Sequence, residues 1–172
     1  FDEILNDPNI DVVVECIGGI EPARTYILKA LQAGKTVVTA NKEVVAKHWP
    51  VFNTAARESG AGFYMEATVA GGLPIIRTVN DSMQANDIVK VMGIINGTTN
   101  YILTNMADNG SSFHDVLKEA QELGYAEADP TADVEAYDAM YKLSILSSLS
   151  FCIHIPLANI HREGITGLTE QD

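Results

Sequence analysis

The sequence predicts an α/β chain, with a parallel sheet and helical crossovers over residues 1–67 and an α+β portion over 68–172. Two observations carry that expectation. Short β-branched runs without polar alternation, the pattern of strands covered on both faces, alternate with amphipathic helical stretches in the first portion. After Glu66 the chain passes through a Gly/Ala-rich turn into a longer strand-like run followed mainly by helical patterns.

Residues 1–5 read as the end of a helix already under way, and the start at Phe1 rather than Met predicts a fragment. Residues 11–17 form the first β-branched run, ended by Gly18-Gly19. Pro22 suits a first helical turn, and Tyr26, Ile27, Leu28, Ala30 and Leu31 then give an amphipathic helix closed by Gly34. Residues 36–40 make a second buried strand, 42–59 a helix and 62–66 a third strand. This β-α-β-α-β order implies parallel strands with right-handed crossovers. Beyond the turn at 67–73, the pattern predicts a strand over 87–96 and helices over 99–108, 113–123 and 134–151, with an acidic loop at 124–133.

Composition narrows the function classes. With 172 residues and 47% apolar content, the chain can bury a real core. A net charge of −12, with only 11 Lys and Arg, argues against a nucleic-acid partner, which demands clustered cations. Cys16 and Cys152 stand far apart with no CxxC or Cys/His cluster, which fits a reducing compartment such as the cytoplasm. No apolar run approaches the ~18 residues of a membrane span, so no membrane partner is expected. His48, His114, His154 and His161 show no metal-ligand spacing and read as bland.

The helix expected over 134–151 carries the most informative chemistry. At 100° per residue Asp138, Lys142, Ile145 and Leu149 fall within about 40° of one another, which puts a charge pair inside an apolar stripe. Ser144, Ser147 and Ser148 are its other polar residues. A pair so placed is either an ordinary surface i,i+4 ion pair or a buried and useful one. Glu127, Asp129 and Asp133 add carboxylates just upstream. Asp133 suits a helix N-cap, whereas Glu127 and Asp129 lie too far upstream for capping that helix.

Three stretches resemble the homoserine dehydrogenase family in the right order: 66–74 (EATVAGGLP), 93–103 (GIINGTTNYIL), and 123–130 (LGYAEADP) followed by Asp133, Asp138 and Lys142. The likeness runs from about Val13 to Gly167. It implies interconversion of L-aspartate 4-semialdehyde and L-homoserine by hydride transfer with NADP or NAD, on a truncated Rossmann-type sheet followed by a catalytic and dimerisation domain. Threonine, methionine and isoleucine biosynthesis, a cytoplasmic setting and a homodimer follow from the same resemblance.

On that resemblance, Lys142 is the proton-donating lysine and Asp138 a catalytic, substrate-contacting aspartate. Glu127 receives the substrate's α-ammonium group, Thr98 contacts substrate, and Lys42 stands at the junction of cofactor and substrate. Without the resemblance Lys42 reads as a solvated lysine in a helix's first turn. Ile17 and Gly18 are placed beside the nicotinamide half of the cofactor, with Gly124 touching it from the second domain. Glu66, Val69, Gly71 and Leu73 correspond to a loop that takes a sodium-like cation, largely through main-chain carbonyls.

The sequence also departs from the family pattern. The opening strand and the G-x-G-x-x-G turn are absent, as is the residue that separates NAD from NADP preference. Ala136 stands where the family usually has glycine. A second reading is therefore an inactive, folded assembly module that supplies a dimer interface. A different oxidoreductase acting through a thiol is disfavoured, since Cys16 has no nearby partner to activate it.

Overall fold

The computed structural model describes residues 1–169 and 172. The chain divides into two compact units, Phe1–Val91 with Tyr141–Asn159, and Met92–Met140 with Ile160–Asp172.

The first unit contains a parallel sheet of β1 (Val12–Glu15), β2 (Thr36–Thr39) and β3 (Phe63–Tyr64), in the order β1-β2-β3. Register aligns Val13 with Val37, Val14 with Val38 and Glu15 with Thr39. On β2, Val37 pairs with Phe63 and Val38 with Tyr64. A short α1 (Asp2–Asn6) precedes the sheet, and the crossovers are α2 (Ala23–Gln32) and α3 (Lys42–Ser59). The α/β reading of this portion therefore holds, with strands slightly shorter than the apolar runs.

Ala23, Ile27, Ala30 and Leu31 recur at helical spacing and are buried, and α2 packs on α3, where Val44, Val45 and Phe52 are fully buried. Each Ile, Leu, Val or Phe so buried contributes about 1.5–3 kcal/mol. α3 begins where the Asn41 side chain accepts from the Val44 N–H, and it stops at Gly60, whose φ of 75° is left-handed. A 3-10 turn at Glu66–Thr68 and the single turn α4 (Ile75–Arg77) follow.

The second unit is helical, with α5 (Gly97–Asn109), α6 (Phe113–Glu122), α7 (Thr131–Val134) and the start of α8 (Tyr137–Ser150). Ile102, Met106, Val116, Val134 and Ile165 form its core, with Tyr101, Leu103, Phe113 and Leu117 packed around them. The Asn96 and Ser112 side chains cap α5 and α6 through the Thr99 and Asp115 N–H groups.

Two expectations are corrected. Residues 87–96 form no regular element, and Val89, Met92 and Ile94 are 90%, 82% and 79% exposed. An apolar run becomes a strand only when a ladder partner satisfies its backbone, and none of the sheet's strands among the described residues pairs with this one.

The expected helix over 134–151 is also broken, between α7 and α8. Ala136 takes φ 57°, and its N–H is drawn to the Asp133 carbonyl at 2.8 Å. Arg162 holds the break from outside. Its guanidinium donates to the Glu135 carbonyl, lies 3.7 Å from the Glu135 carboxylate and sits 3.8 Å over the Tyr137 ring.

A left-handed backbone crowds the Cβ of any L-residue except glycine, by about 1–2 kcal/mol, partly offset by the greater flexibility of unfolded glycine. We expect Ala136→Gly to stabilise the protein by about 1 kcal/mol, seen as a Tm rise of roughly 2–4 °C in a thermal melt. A lowered Tm would show that the turn is not strained.

Candidate active site

In the first unit the sequence converges on the turn that leaves β1. Glu15 closes that strand and is only 4% exposed. Its Oε1 accepts the N–H groups of Ile17 at 2.7 Å and Gly18 at 3.3 Å, while its Oε2 accepts the Thr39 hydroxyl at 2.6 Å. Thr39 Oγ1 in turn accepts the Asn41 N–H at 3.0 Å, and Asn41 Nδ2 donates to the Gly19 carbonyl at 2.7 Å. One polar chain thus ties the turn bearing Ile17 and Gly18 to the start of α3, which bears Lys42. Gly18 and Gly19 hold φ of 80° and 67°, and a Cβ on either would meet no atom within 4 Å. Glycine serves backbone shape here, and the surface over the turn is open to a ligand. That open turn leaves room for a cofactor to approach the main chain.

A second tie holds the other lysine-bearing helix. Tyr141, one residue before Lys142, donates its hydroxyl to Glu43 Oε1 at 3.2 Å, and Lys47 donates to the same oxygen at 2.6 Å. Lys47 also lies 5.6 Å from the centre of the Tyr141 ring. Burial, then the Glu43 carboxylate, pushes the Tyr141 phenol up, while the hydrogen bond to Glu43 pushes the Lys47 ammonium up. Tyr141 therefore stays neutral and Lys47 charged at neutral pH. The α3 start with Lys42 and the half-buried Lys142 are thereby held in one unit.

The loop at 66–73 belongs to the same unit. Both Glu66 carboxylate oxygens accept peptide N–H groups, from Ile76 at 3.0 Å and Arg77 at 2.9 Å, and the Leu73 carbonyl accepts Ile75 at 2.8 Å. Ala70 and Gly71 turn through φ of 61° and 58° beside the buried Val69. Glu66 thus starts α4, which the sequence did not disclose.

In the second unit Asp138 is 4% exposed and accepts Asn96 Nδ2 at 2.9 Å. Asn96 Nδ2 also reaches Asp133 Oδ1 at 2.7 Å, while Asn96 Oδ1 accepts the Thr99 N–H at 2.8 Å. A single amide therefore caps α5 and fixes two carboxylates. Asp133 lies inside α7 rather than at the N-cap of α8. Thr98 donates its hydroxyl to the Tyr125 carbonyl at 3.0 Å, which joins it to the loop following Gly124, itself at φ 80°. Asp129 accepts the Thr131 N–H at 3.1 Å and is drawn below the usual carboxylate range by Thr131's hydroxyl and N–H. It thus belongs to a local turn just before α7, whose N-cap is Pro130, and does not cap α8. The Glu127 side chain is exposed.

Ile17, Gly18, Lys42, Glu66, Val69, Gly71, Leu73 and Lys142 thus fall in the first unit, and Thr98, Gly124, Glu127 and Asp138 in the second. Glu15, Asn41 and Asn96 were missed by sequence reasoning. Two neighbouring hollows of about 380 and 400 Å³ share Trp49, Asn53, Asn80 and Leu149, and none of the predicted residues lines them. No group of three or more His, Cys, Asp or Glu able to hold a metal ion occurs among the described residues, and no helix there is long and apolar enough to cross a membrane.

The family model for the NAD binding domain of homoserine dehydrogenase matches residues 1–66, and the homoserine dehydrogenase model matches 74–172. The homoserine dehydrogenase of Pseudomonas aeruginosa is 51% identical over the whole chain, and that of Bacillus subtilis is 46% identical over 99% of it. The chain spans 39% of the length of each of these relatives. A crystal structure of a homoserine dehydrogenase from Thiobacillus denitrificans superposes with a TM-score of 0.94 at 52% identity, covering 98% of this chain and 39% of that one. A hyperthermophilic archaeal homoserine dehydrogenase in complex with NADPH superposes with a TM-score of 0.85 at 31% identity, covering 94% of this chain and 50% of that one. Matched by these models along nearly its whole length, this chain belongs to the homoserine dehydrogenase family.

Proposed function

We propose that this chain supplies the nicotinamide-side turn and the substrate residues of an enzyme that interconverts L-aspartate 4-semialdehyde and L-homoserine with NADPH or NADH. The supporting observation is the buried Asp138, fixed by Asn96 at the start of the helix that carries Lys142, within a chain 51% identical to a homoserine dehydrogenase.

The bound nicotinamide supplies a hydride to the aldehyde carbon. Addition at carbon moves the carbonyl π electrons onto oxygen, so the developing alkoxide needs a cation and then a proton. Lys142 provides both, and its ammonium passes one proton to that oxygen to complete the alcohol. Asp138, kept in place by Asn96, is fixed for substrate contact in the second unit. Glu127 offers an acceptor-only carboxylate to the substrate's α-ammonium, a role that its exposure permits. Thr98 and Gly124 border the same loop, and Lys42 stands at the start of α3 beside the turn of Ile17 and Gly18.

For the cation loop, main-chain carbonyls of Val69, Gly71 and Leu73 would take a sodium-like ion, with Glu66 already committed to α4. A cytoplasmic homodimer working in threonine, methionine and isoleucine biosynthesis rests on the family resemblance alone. NADPH titration with a thermal-shift readout separates this enzyme from an inert assembly module.

In the protein at its natural length, Lys142→Ala should lower kcat by about 100-fold or more while cofactor affinity changes little, because the ammonium acts on charge that appears only in the transition state. Equal losses in steady-state turnover and in equilibrium cofactor binding would remove Lys142 from this role. Glu127→Gln should chiefly raise the KM for the amino-aldehyde, by about tenfold, since neutralising the acceptor weakens ground and transition states alike. An unchanged KM in initial-rate assays would sink the Glu127 assignment.

A further inference from the structure

The geometry points to Glu15 as a positioning residue for the nicotinamide end of the cofactor, acting through the Ile17–Gly18 turn, an inference that rests on the function proposed above. Its place in the sequence is anomalous. Glu15 ends a strand whose other residues are all valine, and it is 4% exposed. A carboxylate there carries a desolvation cost that an apolar residue would avoid. The sheet itself makes no use of the side chain, because the β1–β2 ladder is a backbone pairing.

Every hydrogen bond recorded for this carboxylate serves the turn or its anchor. Oε1 gathers the Ile17 and Gly18 N–H groups, at 2.7 and 3.3 Å. Oε2 takes the Thr39 hydroxyl at 2.6 Å. Thr39 is 2% exposed and relays the constraint to Asn41, whose amide holds the Gly19 carbonyl at 2.7 Å and whose Oδ1 caps α3 at 3.1 Å. The turn is therefore gripped at Ile17, Gly18 and Gly19 by groups rooted in two buried strand ends. Gly18 and Gly19, both left-handed, impose little conformation of their own. Ile17 is 56% exposed over this anchored backbone, an apolar surface on which a planar ring can rest.

Glu15 thus fixes the one part of the turn assigned to the nicotinamide half, and its contacts reach nothing assigned to the adenosine half. Losing it should loosen the ring's seat selectively. The same chain of bonds reaches the α3 start, so the position of Lys42 is set by the same anchor.

The test compares two ligands on the protein at its natural length. Dissociation constants are measured by calorimetry for NADPH and NADH and for their ADP-ribose counterparts, which lack the nicotinamide ring. Glu15→Ala should weaken the intact cofactors about tenfold or more, the size of change expected when charge-assisted hydrogen bonds are lost, and change the ADP-ribose ligands by less than about twofold. Thr39→Val should show the same pattern more weakly, and Thr39→Ser, which keeps the hydroxyl, should restore cofactor affinity. Should Glu15→Ala fail to fold, the two Thr39 variants carry the comparison. Parallel losses for both ligand types, or no loss for either, would overturn the positioning role. Failure of the proposed function shows separately, as an unmutated protein that neither binds NADPH nor oxidises it in the presence of aspartate semialdehyde.

Discussion

The parallel register of β1 on β2 places Glu15 opposite Thr39, and much of the first unit's site architecture follows from that pairing. A carboxylate and a hydroxyl brought together at buried strand ends must satisfy each other, and the 2.6 Å bond does so. From this anchor the hydrogen bonds run outward to the turn after β1 and to the first turn of α3. Ligands of open parallel sheets bind beyond the carboxyl ends of the strands, and here those ends are where the polar residues collect.

The second unit solves a similar problem with an amide instead of a carboxylate. Asn96 caps α5 with its oxygen and holds Asp133 and Asp138 with its nitrogen. Both carboxylates share this one donor, which ties Asp138 to Asp133 and to the start of α5. The break at Ala136 matters for the same reason. A continuous helix from Val134 would rotate Asp138 relative to Asp133, whereas the left-handed residue lets α8 start afresh in a new direction, braced by Arg162.

How much of this was legible depended on whether the deciding information was local. The helix over 42–59 is legible because its signals are local: an apolar period runs through it, and Asn41 and Gly60 cap its two ends. The β-branched runs gave β1 and β2 for similar reasons. The run at 87–96 misled, since β-branched composition describes a segment's preference and says nothing of a ladder partner. The helix break leaves its only sequence trace in the family's usual glycine at 136, because alanine is the best helix former and the brace comes from Arg162, far along the chain. At the site, Asp138 stood out as a charge in an apolar stripe, while Glu15 was absorbed into a strand although a lone acid among valines carried the same kind of signal.

The proposed reaction is hydride transfer from a nicotinamide to the aldehyde carbon, with Lys142 protonating the oxygen. Isotope tracing reaches it most directly. With the transferable C4 hydrogen of NADPH or NADH replaced by deuterium, the protein at its natural length should convert aspartate semialdehyde to homoserine carrying one non-exchangeable deuterium at the former aldehyde carbon, read as a mass increase of about 1 Da, since the added hydrogen stays on carbon and only the oxygen proton exchanges with solvent. Formation of homoserine without the label, or no aldehyde-dependent consumption of either cofactor, would contradict the account.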